Sequence, residues 1–481
     1  MEKDYKQLFV GGDLSGIQKF LYNISSKKAA VSLKGRSYYL QQYMNDVCSK
    51  VVDAAKTTGS QLPDVIYKSG GKFYVIVSNS ESIRQAIDSC AKLIQKELWK
   101  EHMGQLGICI SYVPFTENAD GTVNAEGLKN QAPGILWKTV NVQFQKQKNQ
   151  KFKDILLNEY NEFFCPIPIG SQTKVCAVTG IESPDCINFE DMQVLPSVYE
   201  QIQKGQELQR KQGFKTFEDY ADKTKLGILR MDVDGLGKRF VVGFNSIKEY
   251  KAFSKRLVDF FEKETEVIHQ ENEFRDYTNI IYAGGDDLFV VGRWDKIADF
   301  AERIHKEVDT RFSNDGITIS GGMAIVNPKF PISKAADLAG KAEDAAKQFN
   351  DGEKNAFHIL GKTISWKKEY DFVKSYQHQF VTLIDKYDLS KGILHKLMLY
   401  SSIADLNKVR KREGKPEDFS YVWHISYYLT RFMSRYKSND EVYHFCRNLR
   451  DKEIDYKDGK KLELIALAAR WAELKLKDNI N

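Results

Sequence analysis

One pattern occurs twice in this chain, and it limits the available folds more than any other feature. In the second half, an apolar strand from Leu226 ends in Asp232-Val233-Asp234-Gly235. A helical stretch from Ile247 to His269 follows, then Tyr282-Ala283-Gly284-Gly285-Asp286-Asp287-Leu288-Phe289-Val290-Val291, which reads as strand, tight turn, strand. In the first half, Leu8-Phe9-Val10 runs into Gly11-Gly12-Asp13-Leu14-Ser15-Gly16, amphipathic stretches follow, and a second Gly-Gly hairpin comes at Val65 to Val77. Each hairpin leads to a helix (Ser80 to about His102; Trp294 to Phe312) and then a strand (Leu106 to Tyr112; Ile317 to Val326). Self-similarity of this kind predicts two β-α-β-β-α-β units of ferredoxin-like type.

The two copies differ where chemistry would sit. The second hairpin carries Gly284-Gly285-Asp286-Asp287, the first Gly70-Gly71-Lys72-Phe73, so both hairpin carboxylates are gone from the first. In such a unit the first strand ends beside the central hairpin, which places Asp232 and Asp234 next to Asp286 and Asp287. Four clustered carboxylates repel by several kcal/mol unless hard cations hold them, and oxygen-only donors suit Mg²⁺ or Mn²⁺. Two such ions roughly 4 Å apart are the arrangement that bridges triphosphate oxygens and activates an attacking hydroxyl. Arg230 and Lys238 lie close by in sequence. Lys347 ends an alanine-rich helix (Ala342-Glu343-Asp344-Ala345-Ala346-Lys347) from which it can reach back towards phosphates.

The first copy offers a softer signal. A strand feeding a Gly-Asp-x-Ser-Gly turn and a helix start is a ready phosphate site, with Ser15 as the N-cap. It has no Walker lysine spacing. Lys34-Gly35-Arg36-Ser37 opens a second amphipathic helix through Tyr39, Leu40, Tyr43 and Met44.

Between the copies, in residues 125 to 222, four of the ten prolines (Pro166, Pro168, Pro184 and Pro196) fall in a segment that also holds three of the seven cysteines, Cys165, Cys176 and Cys186. No C-x-x-C pair and no intervening histidine occurs, so zinc is not expected there. Beyond Trp366 the pattern is helical to the end. Scattered cysteines fit a reducing cytoplasm, and no apolar run approaches the length of a membrane span. A net charge of +6, from 71 basic and 65 acidic residues, is too slight an excess to argue for nucleic acid.

These residues resemble a known family. Asp-x-Asp, the Gly-Gly-Asp-Asp hairpin and Ala-x-x-Ala-Ala-Lys resemble the palm of GGDEF-class nucleotide cyclases, with Asp-Leu where that class has Glu-Phe. Gly12-Asp13-Leu14-Ser15-Gly16-Ile17-Gln18-Lys19-Phe20, Leu33-Lys34-Gly35-Arg36-Ser37, Gly284-Gly285-Asp286-Asp287, Gly321-Gly322-Met323-Ala324 and Gly352-Glu353-Lys354-Asn355-Ala356 are similar to signatures of the large subunit of type III CRISPR effector complexes, the Cas-ten family, nearer its Csm-like branch. The resemblance implies an α+β chain: a first palm (1–124), a small intervening domain (125–222) with a remnant cysteine site, a second palm (223–368) and a helical C-terminal domain (369–481). It implies ATP bound between the palms and joined into cyclic oligoadenylate messengers once target RNA is present, with other effector subunits, guide RNA and target RNA as partners. By position, Asp286 and Asp287 would be the catalytic pair, with Asp232 and Asp234 as further metal ligands. Asp13, Ser15, Gly16, Arg36, Gly70, Gly71, Gly284, Gly285 and Lys347 would shape the nucleotide pockets.

Many relatives carry a nuclease domain marked by a His-Asp dipeptide, and none of the eight histidines here precedes an aspartate, so no DNA cutting is expected. Two alternatives stay open: a scaffold whose palm binds ATP without turnover, and a transferase that joins AMP to another small acceptor. The Tyr- and Arg-rich stretch with Tyr421, Trp423, Tyr427, Tyr428, Arg431, Arg435 and Tyr436 is expected to offer a docking surface to neighbouring subunits.

Overall fold

A computed structural model describes residues 5–25, 27–61, 63–128, 131–163, 173–438, 440–454 and 459–479. Cys165 lies outside the described residues, so the three-cysteine remnant is described only at Cys176 and Cys186. Both are buried in an apolar cluster with Ile24, Val31, Met192 and Ile202.

The first sheet is built from β1 (Gln7–Ser15), β2 (Asp64–Ser69), β3 (Lys72–Ser78), β4 (Gly107–Glu117) and β5 (Val123–Ala125), in the order β2-β3-β1-β4-β5. Two short ladders follow, β6 (Lys174–Val175) with β7 (Glu182–Ser183) and β8 (Ile187–Phe189) with β9 (Met192–Val194). The second sheet holds β10 (Leu226–Asp234), β11 (Thr278–Gly284), β12 (Asp287–Arg293), β13 (Thr318–Val326), β14 (Ala356–Ile359) and β15 (Lys362–Ser365), in the order β11-β12-β10-β13-β14-β15. The shared order, hairpin beside first strand beside fourth strand, is that of two ferredoxin-like palms in an α+β chain.

Register fixes which residues correspond. In the first palm Asp13 lies opposite Lys72, and in the second Asp232 lies opposite Asp287. The Leu14 N–H donates to the Gly71 carbonyl at 2.8 Å, and the Val233 N–H donates to the Asp286 carbonyl at 3.1 Å. Lys72 therefore stands for Asp287 and Gly71 for Asp286, one residue away from the pairing that the shared Gly-Gly suggests. The turns explain the slip. Gly70 and Gly71 form the first turn, both at positive φ, whereas the second is Gly285-Asp286 with only Gly285 at positive φ.

The two hairpin tips touch. A Cβ added to Gly70 would lie 2.9 Å from the Gly285 Cα, and one added to Gly285 would lie 2.9 Å from the Gly70 Cα, so only glycine permits the contact. The Gly285 N–H donates to Ser69 Oγ at 2.7 Å, and the Ser69 hydroxyl donates to Glu262 Oε1 at 2.5 Å. A helix at Gly134–Asn149 straps the palms together. It packs on β4, and its buried Trp137 sits 4.4 Å from the Phe9 ring of one palm and 3.8 Å from the Tyr250 ring of the other, centroid to centroid. The boundary expected at 124 falls before this helix.

Lys34-Gly35-Arg36-Ser37 does not open a helix; it lies inside Ala29–Thr57. A Cβ on Gly35 would meet the Gln201 carbonyl at 1.8 Å, and one on Gly205 would meet the Val31 carbonyl at 1.9 Å, so the motif serves a close crossing with the helix Pro196–Gln212. The C-terminal part is helical, with Asp371–Tyr387, Gly392–Arg412, Ser420–Met433, Glu441–Asn448 and Lys460–Lys477. On Ser420–Met433, Tyr421 is core, whereas Trp423 and Tyr427 are 58% and 62% exposed on one stripe with Arg431. Among the described residues no helix is long and apolar enough to cross a membrane.

Candidate active site

The acidic centre forms where three elements of the second palm converge. Asp232 near the end of β10 and Asp287 at the start of β12 are directly opposed, so their side chains leave the same face of the sheet. Glu343 joins them from the helix Ile332–Lys347, and carboxylate oxygens of the three lie within 4.8 Å of one another. Two glycines make that approach possible. A Cβ on Gly322 of β13 would lie 2.0 Å from the Glu343 nitrogen, and one on Gly340 would lie 2.6 Å from Arg230 Nη1. Glu343 is buried and bridges Arg230 Nε at 3.0 Å and Lys347 Nζ at 2.7 Å; Lys347 also pairs with Asp232.

The electrostatics are those of a site short of positive charge. Burial, then Asp286, Asp232 and Glu343, push the Asp287 carboxyl well above the usual range. Burial and then Asp232 raise Asp286 to about 6, against the pull of Lys72 and Lys347. Burial works against the charge on Lys347, but Asp232 and Glu343 outweigh it and hold its pKa above the ordinary lysine value. Three converging carboxylates, two of them neighbours of further acids, are a donor set that fits Mg²⁺ or Mn²⁺. Raised carboxyl pKa values mean that the folded state binds more protons than the unfolded one between about pH 4 and 6, so stability from these groups falls as pH rises through that window. A divalent cation replaces those protons above it. We expect saturating MgCl₂ or MnCl₂ to raise the melting temperature by about 2–4 °C at pH 7.5 and by clearly less at pH 5. Equal shifts at both pH values would show that the ion binds elsewhere.

Four expected site residues are tied into their surroundings. Asp234 is not gathered with the other acids. Its Oδ2 accepts from Thr318 Oγ1 at 2.8 Å, Ser320 Oγ at 2.9 Å and the Asn355 N–H at 3.1 Å, which ties the end of β10 to the Gly352–Ala356 segment. Arg36 does not face a nucleotide. It is buried and donates to the carbonyls of Phe20 at 2.5 Å and Asn23 at 3.0 Å and to Gln201 Oε1 at 3.2 Å. Burial pushes its pKa down to about 10. Ser15 does not cap the short helix Ile17–Tyr22 either; its hydroxyl donates to the Gly107 carbonyl at 2.9 Å, and Gly16, at φ 92°, is the N-cap. Asp13 is buried and pairs with Lys148 Nζ at 2.7 Å.

Gly70, Gly71 and Gly284 line a cavity of about 300 Å³ between the palms, whose walls also carry Ser37, Gln41, Asn45 and Lys68. Its size is at the lower end for small-ligand sites. It shares Gly284 with the acidic hairpin, while Asp232, Asp286, Asp287 and Glu343 do not line it. Sequence reasoning missed Glu343, Gln41, Asn45 and Glu262. Glu343 alone carried a signal, four residues before Lys347 and hence on the same helix face.

Comparison with known proteins agrees with the two-palm fold. Residues 6–165 match the family model of Csm1 subunit domain B, and residues 225–358 match that of the Cas10/Cmr2 second palm domain. The CRISPR system single-strand-specific deoxyribonuclease Cas10/Csm1 (subtype III-A) of Enterococcus italicus is 27% identical over 434 residues, covering 75% of this chain and 55% of that protein. Its counterpart from Mycobacterium tuberculosis is 24% identical over 548 residues, covering 94% and 65%. The chain thus spans 55% and 65% of the length of these two relatives. A Csm1–Csm4 cassette in complex with pppApA shares the fold at TM-score 0.69 and 19% identity, covering 98% of this chain and 70% of that one. The cassette in complex with cA4 gives TM-score 0.65 at 19% identity, covering 97% and 70%.

Proposed function

The chain belongs to the Cas10/Csm1 family, and from that premise we propose that it is the large subunit of a type III-A CRISPR effector complex and makes cyclic oligoadenylate from ATP. The observation that carries this reading is the convergence of Asp232, Asp287 and Glu343 at the hairpin whose Gly284, paired with Asp287, also lines the cavity between the palms. Structural neighbours in complex with one ATP and with cA4 support the substrate and product classes, and their Csm4 partner supports docking of a Csm4-like subunit here.

Asp232, Asp287 and Glu343 would hold Mg²⁺ or Mn²⁺, which would supply the positive charge that offsets the triphosphate and lowers the pKa of an attacking hydroxyl. The protein's own groups do the positioning. Lys347, held by Glu343 and Asp232, presents an ammonium to phosphate oxygens. Arg230 pairs with Glu343 and holds that carboxylate in place. The cavity walls between the palms seat the nucleoside, with the Gln41 and Asn45 amides and the Ser37 hydroxyl available to its polar edge. The touching glycine tips set the distance between donor and acceptor nucleotides.

That distance is the natural point of control. A displacement of about 1 Å can cost on the order of 100-fold in rate, and the tips meet through one hydrogen bond and a glycine contact. The isolated chain is therefore expected to bind ATP yet turn over slowly, and its ribonucleoprotein complex to accelerate with matched target RNA. Product formed per site is to be compared with and without target RNA, in the chain alone and in the complex. Equal and rapid turnover in all four conditions would rule out partner control.

A further inference from the structure

Lys347 pairs with both Asp232 and Glu343, yet it is the last residue of its helix, and helix ends fray. The chain beyond it, residues 348–355, reaches β14 by a course that holds Asn350, Gly352, Lys354 and Asn355 at φ 46°, 92°, 60° and 49°. Left-handed backbone crowds the Cβ of a lysine, and asparagine tolerates it better. Such conformations persist where the surroundings over-determine them.

The surroundings do so at Asn355. Its N–H donates to Asp234 Oδ2 at 3.1 Å, its carbonyl accepts from the Trp366 N–H at 3.1 Å, and its Oδ1 shares a hydrogen bond with His305 Nε2 at 3.0 Å. These partners stand on three elements: the end of β10, the residue after β15 and the helix Trp294–Phe312. The His305 ring stacks on Trp366 with 4.6 Å between centroids, which closes the clamp. The Ala356 N–H extends it to Ser320 Oγ at 3.4 Å, and Ser320 donates in turn to Asp234. The clamp therefore fixes the far end of the segment whose near end is Lys347. That matters most in a loaded site. A cation held by Asp232 and Glu343 competes with Lys347 for the same oxygens, so the ion pairs no longer fix the ammonium. What then places it is the backbone of the last helical turn, tethered through residues 348–355 to the clamp.

We propose that Asn355, clamped by Asp234, His305 and Trp366, is a positioning residue for Lys347. It holds the last turn of Ile332–Lys347 in place and so keeps the ammonium aimed at the phosphates of a nucleotide substrate. The inference rests on the nucleotide-transfer reading of the acidic centre and adds to it a residue that acts through Lys347 rather than on the substrate.

The test uses the full chain in MnCl₂, titrated calorimetrically with the α,β-methylene analogue of ATP, which nucleotidyl transfer cannot cleave. Asn355→Gly loses the bond to His305 but accepts left-handed backbone, so it keeps the chain foldable; Asn355→Ala adds strain to the same loss. Losing one part-buried hydrogen bond should weaken the analogue about fivefold in Asn355→Gly, and further in Asn355→Ala. Lys347→Met should weaken it about tenfold, through loss of a charge-assisted contact. Adding Asn355→Gly to Lys347→Met should then change nothing more, because the two substitutions act through one group. An additive loss in the double variant, or full affinity in Asn355→Gly, would overturn the proposal. Hydrogen exchange gives a readout without nucleotide. Amides of residues 344–347 should exchange about fivefold faster in Asn355→Gly, with those of β12 unchanged. Unchanged exchange in that turn would also overturn it. If the turn loosens as expected while the wild-type chain fails to bind the analogue, the nucleotide reading of the acidic centre fails and the positioning of Lys347 stands.

Discussion

Replacing Asp286 and Asp287 together with Ala is expected to abolish nucleotide product while the chain stays folded. Asp287 supplies one of three carboxylates of the acidic centre, and Asp286 sits in the turn beside it. Losing a bridged phosphate contact costs several kcal/mol in the transition state; about 4 kcal/mol alone corresponds to roughly 1,000-fold in rate. The same groups oppose folding when no cation is present, because burial and mutual repulsion push both carboxyls up. The milder Asp286→Asn/Asp287→Asn pair should therefore melt higher than wild type in EDTA at pH 7.5, with the difference narrowing as pH falls towards 4. Product at wild-type rate in the Ala pair would remove the site assignment.

Glu343→Gln is the second large effect. The amide keeps the shape of the side chain and can still contact Lys347, but it withdraws one charge from the donor set and breaks the ion pair with Arg230. Activity at fixed, subsaturating Mn²⁺ should fall roughly 100-fold, and the Mn²⁺ concentration for half-maximal rate should rise. A purely structural Glu343 would lower the amount of folded protein and leave that concentration unchanged. This comparison matters because Glu343 replaces Asp234 in the metal set that the sequence pattern suggests.

What could be read from the sequence divides along physical lines. The two strand–turn–hairpin units, the Gly-Gly-Asp-Asp tip and the helical end were legible because alternation and glycine punctuation are local signals. Asp232 and Asp287 followed from topology, since a first strand must lie beside its hairpin. Glu343 had one local signal, its place one turn before Lys347, but its reach into the site depends on the missing side chains of Gly322 and Gly340, which is a tertiary fact. Arg36 misled in the other direction: the resemblance assigns it to a nucleotide pocket, yet it is buried where two helices cross at Gly35 and Gly205. The pairing of Lys72 with Asp286 failed by one residue because both hairpins show Gly-Gly while their turns are centred differently. Asp13 was noticed, but its role opposite Lys72 emerged only with the register.

The central claim is that the two palms join AMP units into closed oligomers. Its most direct test is mass analysis of the product formed from ATP and Mn²⁺ by the assembled complex with matched target RNA, run beside the Asp286→Ala/Asp287→Ala complex. The account predicts wild-type product at whole multiples of the AMP residue mass, with no terminal phosphate and no added group, and none from the variant. AMP joined to a different acceptor, or ATP recovered unchanged from the wild-type complex, would contradict it.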